Sequence, residues 1–213
     1  MEKKYCGIIF DLDGVICHTD HYHYLAWKKL AEKEHIYFDE SINHRLRGVS
    51  RMESLEILLE RADKTYTEEE KERMAEAKNT IYVELLGQMT ENDLPENVKR
   101  TLDDLRKKGY LLAIGSSSKN TKRILKYIGL ENYFDAISDG TNITRSKPDP
   151  EVFLKAAEML ELSAEKCIVI EDARAGIDAA VAGGFASAGI GEAKLHSGVT
   201  YQLESFEDLT QIV

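Results

Sequence analysis

Five short apolar runs constrain this chain more than any other feature: Tyr5–Phe10, Leu111–Gly115, Ala136–Ser138, Cys167–Glu171 and Ala186–Ile190. Runs of this length without polar alternation read as strands buried on both faces of a parallel sheet. Between them lie helical patterns over Glu96–Lys108, Asn120–Ile128, Pro150–Leu160 and Ala173–Ala182. Strand alternating with helix implies an α/β fold, a Rossmann-like parallel sheet covered on both faces. With 213 residues, the chain has room for one such core and a small accessory domain.

The stretch from Thr19 to Met89 breaks that rhythm. It carries amphipathic patterns at Tyr22–Glu34, Arg51–Arg61 and Glu68–Leu86, and no convincing strand. A small helical bundle inserted after the first strand is expected. The polar link Gln88-Met89-Thr90-Glu91-Asn92-Asp93-Leu94-Pro95 returns the chain to the sheet. The expected division is a catalytic core of residues 1–16 and 93–213, with a helical cap and its hinges over 17–92. Ligands of open α/β sheets bind outside the carboxyl ends of the strands, and the insertion leaves from such an end.

A net charge of -10 argues against a nucleic-acid binder, which needs clustered positive charge. The first apolar run is too short for a signal peptide or a membrane span. Cys6, Cys17 and Cys167 are far apart and odd in number, so they define no disulfide framework or metal-binding pair. Free thiols suit a reducing compartment, and a cytoplasmic protein is expected.

Four clusters sit where strands give way to helices or loops. In Asp11-Leu12-Asp13-Gly14 the two carboxylates stand two residues apart, so extended backbone turns both to one side. Such close like charges call for a bridging cation or a shared proton. The bland reading is an Asx-turn. Ile168-Val169-Ile170 ends in Glu171-Asp172 on the same sheet edge, although Asp172 would also serve as a helix N-cap. Ser116-Ser117-Ser118-Lys119-Asn120 follows another strand and offers hydroxyls and backbone N–H groups to an anion, or simply a serine cap. Lys147, between Ser146 and Pro148, would bring an ammonium to this edge or remain solvated. Together the four fit one phosphoryl-transfer site, in which Asp11 attacks, a magnesium ion and Lys147 neutralise charge, and Ser116 positions the phosphoryl group.

These residues resemble the four signature motifs of the haloacid dehalogenase superfamily. Its dehalogenating members lack the second aspartate of the first motif, so Asp13 points to phosphoryl transfer. The insertion is similar to the cap of the β-phosphoglucomutase family. The similarity runs through Thr19–Lys28, Arg47-Gly48-Val49-Ser50-Arg51, Lys78-Asn79 and Ser116–Asn120.

The resemblance implies conversion of β-D-glucose 1-phosphate to glucose 6-phosphate through a phospho-aspartyl enzyme and a glucose 1,6-bisphosphate intermediate, which also serves as phosphorylating activator. It implies Asp11, Asp13, Ser116 and Lys147 as catalytic groups, and one Mg²⁺ held by Asp11, Asp13, Glu171 and Asp172. Substrate contacts would come from His23, Trp27, Gly48, Val49, Ser50, Arg51, Lys78, Ser117, Ser118, Lys119 and Asn120. A monomer acting on a small sugar phosphate, away from nucleic acid and membrane, is expected. The alternative is a magnesium-dependent phosphatase of small sugar phosphates. A binding protein that has lost turnover is disfavoured by the intact acids and Lys147. Two departures from the family pattern stand out: Cys17-His18 before the hinge threonine, and Ala173 after Asp172.

Overall fold

The computed structural model describes residues 3–213, so the first two positions of the expected core segment lie outside the described residues. The sheet is six-stranded and parallel throughout, in the order β3-β2-β1-β4-β5-β6. Its strands are β1 (Gly7–Phe10), β2 (Leu111–Gly115), β3 (Ala136–Ser138), β4 (Cys167–Glu171), β5 (Ala186–Gly189) and β6 (Tyr201–Gln202). This is the strand order of doubly wound dinucleotide-binding folds.

Burial of the central strands on both faces follows from their apolar runs. Ile8 and Phe10 join one hydrophobic cluster with Leu112, Ile114, Ile168 and Ile170. Ile9 turns to a second cluster with Ala113 and Val169, as the two-residue period of a strand requires. The first cluster is closed by Leu102 of α5 (Glu96–Lys107), Ile124 of α6 (Thr121–Tyr127) and Leu209 of α9 (Leu209–Ile212). The second is closed by Phe153 and Ala156 of α7 (Glu151–Met159) and by Ala179 and Ala180 of α8 (Arg174–Ala182). In register, Phe10 stands between Ile114 and Ile170. The residues that follow these three strands therefore emerge along a single edge.

The inserted stretch is helical, with α1 (Asp20–Glu34), α2 (Glu40–Arg45), α3 (Arg51–Leu59) and α4 (Glu68–Leu86). Trp27, Leu30, Leu55, Leu58 and Met74 form a hydrophobic cluster of their own. At the base, Ala26, Tyr82 and Leu86 join the sheet-side cluster instead. The expected helices and strands are present, with ends moved by a few residues. Three small elements were not anticipated. The six-residue α2 buries only Ile42 and is capped by Asp39, which accepts from the Ile42 N–H at 2.9 Å. The two-residue β6 and the four-residue α9 are too short for a periodic signal.

Gly115, the last residue of β2, lies where a Cβ would sit 2.6 Å from Cδ1 of Phe153 and 3.1 Å from Ile9. Gly115→Ala should therefore destabilise the protein by about 1–3 kcal/mol through overpacking. A melting temperature equal to wild type would show that the core yields there without cost.

Candidate active site

Four charged groups from the ends of β1 and β4 and from one loop converge on the sheet edge. Asp11 follows β1 and is held to β4 by its N–H, which donates to the Ile170 carbonyl at 2.9 Å. Lys147 is fully buried, and its Nζ donates to Asp11 Oδ1 and Glu171 Oε1 at 2.5 Å each. Burial works against its charge, but the carboxylates of Asp11 and Glu171 together outweigh burial and raise its pKa. Glu171 is also raised, by burial first, and its other oxygen accepts from the Ala173 N–H at 2.9 Å. Two glycines make room for these acids. A Cβ on Gly14, whose φ is 91°, would collide with the Asp172 carboxylate. One on Gly176 would collide with that of Glu171.

Asp11, Glu171 and Asp172 each bring an oxygen within 4.8 Å of the others. Burial, then Glu171 and Asp11, push the Asp172 pKa up to about 8. Three crowded carboxylates against one ammonium and the Arg47 guanidinium favour a further cation, and an all-oxygen donor set suits magnesium. The Asp13 carboxylate, expected among the ligands, stands outside this group. It accepts instead from the Thr19 hydroxyl, and burial, followed by the Asp11 charge, pushes its pKa up to about 7. At that value it suits proton transfer better than metal binding.

Ser116 leaves β2 with its N–H donating to the Ser138 carbonyl at 3.1 Å, while its Oγ accepts from the Ser118 N–H at 3.2 Å. Ser118 Oγ accepts in turn from the Asn120 N–H at 3.1 Å. Two residues of this loop reach the inserted helices. Ser117 Oγ donates to the Gly48 carbonyl at 3.3 Å, and Asn120 Nδ2 donates to Asn79 Oδ1 at 3.0 Å. Lys119 is exposed at the same loop.

A cavity of about 560 Å³ lies between the two parts. The sheet edge lines it with Asp11, Asp13, Asp172 and Ser116 to Asn120, and the helices line it with His23, Trp27, Gly48 to Arg51 and Lys78. Lys147 and Glu171 lie behind this lining. Ser50 uses its hydroxyl as the cap of α3, accepting from the Glu53 N–H at 3.2 Å, so its expected substrate contact competes with a structural task. Gly48 has a φ of 76°, and a Cβ there would lie 3.1 Å from that of Ala173. The small residue at 173, a departure from the family pattern, is thus part of the close approach between the helices and the core.

Further residues complete the site. Arg47 Nη2 pairs with Asp20 at 3.1 Å and closely with Asp172, tying the inserted helices to the acid cluster. An exposed-looking arginine in a loop carries no sequence signal for such a reach. Tyr82 stacks on His23 with ring centroids 4.0 Å apart, and its hydroxyl is buried without a hydrogen-bond partner.

Lys78 Nζ lies 2.9 Å from Nδ1 of His23, and within 4.9 Å of the Trp27 ring centre and 4.4 Å of that of Tyr82. Burial, then Arg51, pulls the Lys78 pKa down to about 7, while burial and then Lys78 hold His23 well below the ordinary histidine range. A lysine titrates near 10 when unfolded. The buried ammonium therefore penalises the folded state fully below about pH 7, and the penalty fades as pH rises to about 10. Lys78→Met should raise the melting temperature at pH 7, with the gain shrinking towards pH 10. A pH-independent difference would contradict this.

Residues 6–184 match the haloacid dehalogenase-like hydrolase family, and the chain is an enzyme belonging to it. Over 206 residues, 96% of this chain and 91% of the relative, it is 41% identical to a β-phosphoglucomutase of Bacillus subtilis. The crystal structure of a β-phosphoglucomutase from Clostridium difficile matches with a TM-score of 0.91 at 41% identity, covering 96% of this chain and 93% of that one. A phosphorylated carbohydrates phosphatase of Thermotoga maritima is 33% identical over 181 residues, 84% of this chain and 81% of its own. Among the described residues no helix is long and apolar enough to cross a membrane.

Proposed function

We propose that this enzyme interconverts β-D-glucose 1-phosphate and glucose 6-phosphate. The observation that carries the reading is a single cavity lined by a carboxylate, Asp11, and by a second group of donors of the kind that suits a phosphate: Arg51, Ser118 and Asn120. A hydrolase needs one phosphate subsite; a mutase that passes through a bisphosphate needs two. The 41% identity to a β-phosphoglucomutase supports the same reading.

In the proposed cycle the sugar's 6-hydroxyl attacks the phosphorus of phosphorylated Asp11. The hydroxyl proton passes to Asp13, the new O–P bond forms, and the bond to the Asp11 oxygen breaks. The bisphosphate then turns end for end, and Asp11 attacks the phosphorus at C1. Asp13 returns its proton to the departing sugar oxygen, releasing glucose 6-phosphate. Ser116 and Lys147 hold the oxygens of the reacting group, and Arg51 holds the distal phosphate through its planar fork. Bound Mg²⁺ would be held by Asp11, Glu171 and Asp172 and would neutralise phosphoryl charge. Residues 17–92 act as a cap over a core of 1–16 and 93–213, excluding water that would otherwise hydrolyse the aspartyl phosphate. Glucose 1,6-bisphosphate supplies the first phosphoryl group. Free Cys6, Cys17 and Cys167 suit a cytoplasmic enzyme.

The second reading, a sugar-phosphate phosphatase, draws on the 33% identity to the Thermotoga maritima enzyme. Purified protein with Mg²⁺, β-glucose 1-phosphate and a trace of the bisphosphate separates the two. Glucose 6-phosphate should accumulate, and Asp11→Asn should abolish it; inorganic phosphate as the main product would sink the mutase reading. The metal assignment has a readout apart from turnover. Mg²⁺ at a hundred times its Kd should stabilise the wild type by ~2.7 kcal/mol, and Asp172→Ala should lose most of that thermal shift. Equal shifts in both proteins would remove Asp172 from the metal site.

A further inference from the structure

Arg51 opens α3 with its side chain only 23% exposed, and its Nη1 lies 3.3 Å from Oε2 of Glu76 on α4. Glu76 is itself 68% exposed. Its other oxygen accepts from Asn79 Nδ2 at 3.4 Å, and Asn79 Oδ1 accepts from Asn120 at 3.0 Å. One carboxylate thus sits on the guanidinium and on the amide pair that leads to the phosphate loop. These donors belong to the distal phosphate end of the cavity in the function proposed above.

Glu76 is not needed to build this corner. The pair with Arg51 touches at one point instead of along the fork, and exposed pairs of that kind stabilise little. The backbone of Arg51 is set independently by the capping box of Ser50 and Glu53. The consequence of Glu76 is electrostatic. A carboxylate and a phosphate compete for the same N–H donors, and a negative charge beside a dianion repels it. Burial already costs the Arg51 guanidinium hydration and lowers its pKa, so the group is disposed to take an anion.

We propose that Glu76 is an internal competitor for the distal phosphate, loosening the grip of Arg51 so that the bisphosphate can release that end and turn. The inference rests on the proposed placement of the distal phosphate at Arg51. A bisphosphate held too firmly at one end gains ground-state binding without gaining rate. Glu76 thus sets the strength of distal phosphate binding by acting through Arg51.

The test is Glu76→Gln, which keeps shape and removes charge. Its KM for β-glucose 1-phosphate should fall roughly two- to fivefold, the range of an exposed charge pair, while kcat stays level or falls. Equilibrium binding of β-glucose 1-phosphate to the Asp11→Asn protein should tighten by the same factor when Glu76→Gln is added. With Arg51→Ala also present, the gain should vanish, because the competition is for that guanidinium. An unchanged or weakened affinity in Glu76→Gln, or a gain that persists without Arg51, would overturn the proposal. Because the binding arm requires no turnover, it still reads Glu76 if the wild type releases inorganic phosphate and the mutase reading fails.

Discussion

The site is organised around one buried ammonium. Lys147 lies between Asp11 and Glu171 at 2.5 Å from each, with no access to solvent. Withdrawing three charges from water costs several kcal/mol per ion, and their mutual attraction seldom returns more than that. Such a cluster is therefore poor evidence of a stability device. Its effect is positional: one cation holds an oxygen of Asp11 and an oxygen of Glu171, and so fixes both carboxylates at the sheet edge.

That arrangement depends on the sheet register. Ile9 pairs with Ala113 on one side and Val169 on the other, so β1, β2 and β4 end together and deliver Asp11, Ser116 and Glu171 to one edge. Alternation then divides the labour. Side chains of one parity feed the cluster beneath α5 and α6, and the other parity feeds the cluster beneath α7 and α8. A one-residue slip of β1 would exchange the two sets and move Asp11 away from Lys147. The apolar runs that drive burial therefore also aim the chemistry.

This explains which parts were legible in the sequence. Strand ends carry a strong signal, because an apolar run that stops at Asp11, Ser116 or Glu171 fixes both the element and the position of the polar group. Three of the four inserted helices were equally readable from their period; the short α2 was not. Contacts across the cavity were not. Arg47 reaches Asp172 across 125 residues of chain, and Asn120 reaches Asn79 across 41, distances that no local pattern encodes. Asp13 lines the cavity with Asp11, as expected, but its hydrogen-bond partner was not legible. Its spacing from Asp11 turns both carboxylates to one side, while Gly14 at φ 91° begins the turn that brings the Thr19 hydroxyl onto the second acid.

The boundary between helices and core has a composition of its own. Ser117 to Gly48, Asn120 to Asn79 and Arg47 to Asp172 are polar contacts, and a close apolar approach sets Gly48 against Ala173. Polar groups released from such a seam regain hydrogen bonds to water, so separating it costs far less than opening a hydrophobic core. At the base of the insertion the chemistry reverses: Ala26, Tyr82 and Leu86 are buried with Leu12, Val15 and Ile16. Firm apolar packing at the base and exchangeable polar contacts at the mouth are the two properties that the proposed cap requires.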